Sequence, residues 1–402
     1  MTLTLLVDLD DTLLSTNIEA FQPAYIKSLS TYFTKYVQPE KMVPILLSAI
    51  KAMTENDDPA VTIKEKFDKS FYPKLGLDEN EIRDYVDRYY AEVFPSLQSI
   101  TTIRPAAKKF IDAALNRGYK IAIATNPFFP RQATYHRLRW ACLPPEEYPF
   151  EIISTYEDFH YTKPNPAYFT ELLAQIGWPD QPVIVIGNDV EADIKPANRL
   201  DIPTFWVNED PNAKLVGETE APIWCGSLDD IMPALQAAEA TLSTPTYTSQ
   251  VGMLAVLKST PAAIDTFMKQ TDSRSLSARP EKDEWSFSEI LCHLRDVEKE
   301  VNHTRLEKIL TEDNAFIPGI DTDTWAVERD YFHQDGAAAL RDFMKARCET
   351  IAILDKIQST DWERKTRHAI FGPTTLAELV CIIAAHDRNH ICQIFNTLKT
   401  LK

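Results

Sequence analysis

The chain has 402 residues, 44% of them hydrophobic, and a formal net charge of −17. That is enough apolar material for two or three core-forming domains, while the acidic balance and the lack of a basic stripe with interleaved aromatics exclude a nucleic-acid partner. With only ten glycines and neither a P-loop nor a Gly-x-Gly-x-x-Gly run, the sequence also excludes a nucleoside-triphosphate or dinucleotide site.

The first apolar stretch starts at Leu3 and ends in Val7-Asp8-Leu9-Asp10-Asp11-Thr12-Leu13. It has no basic flank or small-residue cleavage site and Asp8 interrupts it, so no leader and no membrane span are expected. Two carboxylates at i and i+2 after a buried strand repel each other, and a cation or a reacting phosphate is what holds such a pair together. About a hundred residues of helical pattern follow. In the stretch 78–94, Ile82, Tyr85, Val86, Tyr89 and Tyr90 share one side. Lys64, Lys66 and Lys69 form a basic cluster whose ordinary role is a solvated face. A second strand, Lys120 to Ile123, leads to Ala124-Thr125-Asn126, and Lys163-Pro164-Asn165-Pro166 comes next. A third apolar run, Val183 to Ile186, leads to Gly187-Asn188-Asp189-Val190-Glu191-Ala192-Asp193. Further strands are expected at 151–156 and 202–207, with helices at 166–176, after Asp189 and after Leu228. This alternation implies a parallel sheet covered on both faces, with ligands beyond the carboxyl ends of its strands.

These four motifs, in this order, resemble the haloacid dehalogenase (HAD) superfamily over about residues 1–240. Motif I falls at Asp8 and Asp10, motif II at Thr125, motif III at Lys163 and motif IV at Asp189 and Asp193. The resemblance implies an α/β, Rossmann-like core with a helical C1 cap near residues 16–100, and a Mg²⁺-dependent phosphomonoester hydrolase. Asp8 is then the nucleophile that forms an aspartyl phosphate, and Asp10 the acid/base that separates phosphatases from dehalogenases. Thr125, Asn126 and Lys163 bind the phosphate, and Asp8, Asp10, Asp189 and Asp193 surround the Mg²⁺. Two spacings of motif IV compete. The shorter uses Asp189 and is preferred, whereas the longer puts Asn188 in the first position. Asp11 departs from the glycine that many relatives have there.

Residues 241–250, uncharged and rich in Thr and Ser around Pro245, read as a linker. Beyond them, 20 basic and 24 acidic residues carry −4 of the net charge, leaving −13 in residues 1–242. Four helical stretches at about 247–270, 286–311, 335–358 and 375–398, without strand alternation, predict an antiparallel, all-α four-helix bundle. Capping boxes at Ser286/Glu289 and Thr375/Glu378 mark two of the starts. Six of the eight histidines lie here. His386 and His390 share a row with Leu379, Ile383 and Ile394, and His293 shares one with Ile290, Leu294, Val297 and Val301. Three imidazoles on facing apolar stripes are costly to bury unless a divalent metal takes their lone pairs. His303 and His333 have no evident partner. The six cysteines are scattered without a Cys-x-x-Cys pair, which predicts reduced packing thiols and a cytoplasmic setting.

The segments Trp285 to Leu294 and His386 to Ile394 resemble the DinB-like family of metal-binding four-helix bundles over residues 248–402. That resemblance implies a His293, His386, His390 site for a transition metal (Zn, Ni or Fe). The expected whole is a cytoplasmic, multidomain hydrolase of a small phosphorylated metabolite, with no nucleic acid and no membrane partner. A homodimer through the bundle is the assembly it allows. Two alternatives stay open: metal-dependent thiol S-transferase chemistry in the bundle with the HAD part auxiliary, or a bundle that only dimerises or senses.

Overall fold

The computed structural model describes residues 2–210 and 213–401; Met1 and Lys402, the ends of the two expected domains, lie outside these. The chain divides into two compact units. One holds the chain up to Leu172 with Pro179–Thr246, and the other holds Leu173–Trp178 with the chain from Tyr247 on.

In the first unit β1 (Thr4–Val7) is followed by β2 (Leu14–Ser15), which pairs antiparallel with β3 (Thr102–Ile103). Between β2 and β3 stand α1 (Ile18–Tyr32), α2 (Pro39–Thr54), α3 (Ile63–Leu75) and α4 (Glu79–Arg88). A capping box opens α3, with Thr62 and Glu65 each satisfying the other's backbone N–H. After α4 the chain widens into a π-helical turn, Tyr89–Val93. Tyr85 stacks on Tyr32 with ring centroids 4.3 Å apart, so the tyrosine-rich stripe read from the sequence packs these helices together.

The chain then runs through α5 (Pro105–Asn116), β4 (Lys120–Ile123), α6 (Arg131–Trp140), α7 (Pro166–Gln175), β5 (Val183–Gly187), β6 (Thr204–Val207) and β7 (Ile223–Gly226). The sheet order is β4-β1-β5-β6-β7, parallel throughout. β1 and β5 are buried along their whole length, which is why they read as unbroken apolar runs.

Two sequence expectations need correction here. Residues 151–156 are not a strand. They run beside β4 with one bridge, Ile123 to Ile153, and the buried Ser154 hydroxyl donates to the Thr125 carbonyl instead of continuing a ladder. Conversely β7 was not anticipated, because four residues between Pro222 and Ser227 carry too short a pattern.

The second unit is built on helices Gln250–Gln270, Phe287–Asp296, Gly336–Leu354 and Leu376–Thr400. The second continues through a π-helical turn, Val297–Asn302, into His303–Thr311. Both expected capping boxes are formed. The first and second helices each pack against the third and fourth, so the ring order differs from a simple up-and-down chain path. The unit also holds a sheet where none was expected: β8 (Ala315–Ile317) pairs parallel with β9 (Lys365–His368), and β9 pairs antiparallel with β10 (Gly372–Thr375). The inward residues of β9 are Thr366 and His368, so burial alternates there without hydrophobicity alternating.

Candidate active site and candidate metal centre

Motifs I and IV meet because β1 and β5 are adjacent and parallel, which puts both strand ends at one edge. The Asp8 N–H donates to the Ile186 carbonyl at 2.9 Å and so fixes the first carboxylate next to β5. Lys163 Nζ donates to Asp8 at 2.8 Å and to Asp193 at 2.5 Å, and all three side chains are buried. Gly187 makes this packing feasible: a Cβ there would stand 2.2 Å from the Asp193 carboxylate, so any side chain would displace it. Burial pushes Asp8 up to about 7, against the pull of Lys163 and with Asp193 and Asp10 adding to the rise. Burial likewise raises Asp193. Lys163 loses stability as a cation by burial, but Asp193 and Asp8 outweigh that loss and hold its pKa above the usual lysine range.

Asp10 faces a different set of groups. It accepts from the Thr16 hydroxyl at 2.7 Å, the Thr125 hydroxyl at 3.4 Å and the guanidinium of Arg137. Arg137 is buried and its guanidinium lies 4.5 Å from the centre of the Phe129 ring. Sequence reading missed it. The available signal was an arginine in the inward row of α6 with Thr134, Leu138 and Ala141, where a buried cation requires an acid.

Asn126 ties motif II to motif III, its amide oxygen accepting from the Lys163 N–H at 3.2 Å. Asp11 has φ 58°, the left-handed conformation that suits a glycine and that Asp tolerates. Its carboxylate accepts the N–H groups of Thr16 at 2.8 Å and Asn17 at 3.0 Å, which explains how an acid takes this position. Asp189 is exposed and spends one carboxylate oxygen on helix capping, accepting from Glu191 N–H at 2.8 Å and Ala192 N–H at 3.0 Å. The Asn188 amide oxygen accepts from Thr12 at 3.0 Å, beside motif I. Both residues line the same cavity as Asp8, Asp10, Lys163 and Asp193. Lys64 does not: it is paired with Asp68 at 2.5 Å and Glu79 at 2.6 Å, and neither Lys66 nor Lys69 lines the cavity.

In the second unit His293 Nε2 lies 3.2 Å from His386 Nε2, which lies 3.1 Å from His390 Nε2. Among the described residues these are the three potential ligands whose donor atoms converge within 4.8 Å. Burial lowers all three pKa values, that of His293 to about 3, so the rings are neutral and offer lone pairs. His390 Nδ1 is 2.9 Å from the Gln393 amide oxygen, which sets its Nε2 as the lone-pair nitrogen. Trp285 lies parallel to the His390 ring with centroids 6.3 Å apart.

Behind the triad Arg347 bonds both Glu298, at 2.8 and 2.9 Å, and Asp387, with all three buried. The two histidines left unassigned have structural partners. His303 meets the Ala346 carbonyl at 2.9 Å, and His333 pairs with Asp330 at 2.7 Å. None of the six cysteines is in a disulfide, and no helix among the described residues is long and apolar enough to cross a membrane.

The haloacid dehalogenase-like hydrolase family profile matches residues 5–207, and the DinB superfamily profile matches residues 257–394. A pyrophosphatase, PpaX, of Bacillus cereus is 21% identical over 186 residues, 46% of this chain and 74% of that protein. A HAD phosphatase from Thermococcus onnurineus aligns at 18% identity and a TM-score of 0.38, covering 58% of this chain and 98% of its own. YfiT from Bacillus subtilis, described as a probable metal-dependent hydrolase with an unusual four-helix bundle topology, aligns at 19% identity and a TM-score of 0.35, covering 38% of this chain and 87% of its own. The chain belongs to the haloacid dehalogenase-like hydrolase family and carries a DinB-superfamily segment in its C-terminal part.

Proposed function

We propose that this protein is a Mg²⁺-dependent phosphomonoester hydrolase of a small phosphorylated metabolite, acting in the cytoplasm through an aspartyl phosphate on Asp8. The observation that carries the reading is the Lys163 ammonium bridging Asp8 and Asp193, with Asp10 at the same strand end. A Mg²⁺ ion fits the donor set, since burial drives Asp8 and Asp193 toward their protonated forms and a hard cation would keep them ionised. Asp8, Asp193 and one of Asn188 or Asp189 would hold it, and when bound it would neutralise charge on the phosphoryl oxygens.

The Asp8 carboxylate attacks phosphorus and the ester P–O bond breaks. Asp10 gives its proton to the departing alkoxide, so the alcohol leaves neutral. Asp10 then takes a proton from water as that water attacks phosphorus, the Asp8–phosphorus bond breaks, and inorganic phosphate is released. Lys163 and Asn126 position the phosphoryl group, and Thr125 and Arg137 hold Asp10 in place. Phosphate release by the full chain, with and without Mg²⁺, tests the reading on a panel of esters that includes pyrophosphate, the substrate class in the Bacillus cereus relative's name. Activity only with a hard cation, and none in a folded Asp8→Asn protein, is the expected result. Unchanged turnover in Asp8→Asn would overturn it.

A second reading concerns the bundle and rests on the converging Nε2 atoms. His293, His386 and His390 would hold one Zn, Ni or Fe ion with an open position. Such an ion would supply Lewis acidity toward a thiol or water.

A further inference from the structure

The cavity that contains Asp8 continues far beyond the space a phosphate needs. It has a volume of about 400 Å³, the size of a small-molecule site. One end is the acidic cluster with Lys163. The rest is walled by Leu46, Ile50, Met53, Phe67 and Val86 from the helices between β2 and β3, and by Phe129 from the loop before α6. Polar groups in that wall are few: the Tyr25 and Tyr90 hydroxyls bond each other at 2.9 Å, and the others are the Gln22 amide and the hydroxyls of Tyr72 and Tyr156.

Charge is just as selective. Lys163 is the only cation among the lining residues, and Asp8 and Asp193 already engage it. The basic residues nearby are already paired: Lys64 and Arg83 line an adjoining cleft that shares Tyr72, Val86, Tyr90, Pro130 and Tyr156 with this cavity, but Lys64 is held by Asp68 and Glu79, Arg83 by Glu79, and Arg137 by Asp10. A substrate with a second phosphate or a carboxylate would find no cation in this wall, and a polyhydroxylated sugar would bury most of its hydroxyls against carbon, with only Gln22, Tyr72 and Tyr156 to meet them.

We infer that the alcohol portion of the substrate is apolar and uncharged, an aryl-alkyl or comparable hydrophobic group whose only charged part is the phosphate. This deepens the phosphomonoesterase reading and rests on it for the chemistry. The pocket itself is a statement about binding.

The test compares esters of primary alcohols, so that leaving-group strength is matched: 2-phenylethyl phosphate, glycerol 3-phosphate and glucose 6-phosphate, with pyrophosphate beside them. Burial of one aromatic ring in such a wall predicts a kcat/KM at least ~30-fold higher for 2-phenylethyl phosphate than for the glycerol ester. Ile50→Ala and Phe67→Leu thin the wall while keeping it apolar, and each should lower that ratio several-fold. Equal or better turnover of the sugar ester or of pyrophosphate would overturn the inference and leave the hydrolase reading standing. A calorimetric arm uses Asp8→Asn full-length protein with Mg²⁺ and the intact esters, and needs no turnover. Binding of 2-phenylethyl phosphate at least tenfold tighter than glycerol 3-phosphate supports the pocket even if no ester is hydrolysed. Equal affinities would overturn it.

Discussion

Arg347→Met in the bundle exposes a large hidden energy. Arg347 sits between Glu298 and Asp387, and its Nη1 also donates to the Leu257 carbonyl at 3.2 Å. Both acids are completely buried. Methionine fills much of the arginine's volume but removes the guanidinium, which lies 4.9 Å from the centre of the Phe343 ring, and leaves two carboxylates without a cation. Removing one partner of a buried ion group costs about 3–5 kcal/mol, and a value of ~4 corresponds to a thousandfold change in an opening equilibrium.

The assay is hydrogen exchange by mass spectrometry on full-length protein in chelator, reading peptides from Phe287–Asp296 and Leu376–Thr400. Their slowest amides should lose about a thousandfold of protection near neutral pH. The pH dependence gives the sign. In the native protein burial works against both ionised acids; Arg347 outweighs it at Glu298 and holds that acid below its ordinary range, whereas at Asp387 burial prevails and the acid stays above its own. The Glu298 contribution to stability is present above the unfolded carboxylate pKa and lost as pH falls. Without Arg347, burial and mutual repulsion raise both acids above their unfolded values, so the variant is least impaired in acid and loses stability as pH rises through the folded values. The gap between native and variant should therefore be smaller near pH 5 than near pH 8. Replacing all three charges together, by Arg347→Met, Glu298→Gln and Asp387→Leu, should recover most of the loss. Protection that falls less than tenfold, or equally at both pH values, would refute this account.

Asp10→Asn should depress turnover strongly for esters of poor leaving groups and much less for an aryl ester whose phenolate leaves unaided; equal losses would remove Asp10 from the acid/base role. Because burial holds Asp8 near 7 in the metal-free protein, Mg²⁺ must displace a proton at lower pH. Its apparent affinity, followed by titration calorimetry, should weaken about tenfold between pH 8 and pH 6. Asp11→Ala forces an alanine into a left-handed conformation and removes two loop hydrogen bonds, and should cost about 1–3 kcal/mol in denaturant unfolding of the first unit. His386→Ala with His390→Ala should abolish the roughly one transition metal per chain expected by elemental analysis, with phosphatase activity unchanged.

The features legible from sequence share a physical reason. Strand ends and helix rows are local patterns, and a parallel sheet collects strand ends at one edge whatever lies between them, so Asp8, Lys163 and Asp193 could be brought together across most of the first unit. The same holds for the imidazoles: i and i+4 put His386 and His390 on one face, and the inward row of His293 supplied the third. What stayed hidden depended on where side chains end, not on where their Cα atoms lie. Arg137 reads as an ordinary helix residue until Asp10 is found beside it. Asp189 reads as a ligand with both oxygens free, whereas one of them caps the turn that follows.

The cavity wall is the instructive case for substrate choice. Its apolar residues come from four separate helices and a loop, and each is individually indistinguishable from core. The conspicuous sequence feature in that region is the lysine cluster around Lys64, whose ordinary role is a solvated face. In the structure Lys64 is satisfied by Asp68 and Glu79 on the helices' own surface. A charge that already has partners contributes little attraction to a ligand elsewhere, whereas an unfilled apolar wall beside a nucleophile favours whatever hydrophobic group can reach it. On the proposed reading selectivity would follow from this apolar wall, and the residues to vary when searching for the substrate are Ile50, Phe67 and Phe129, before any of the lysines.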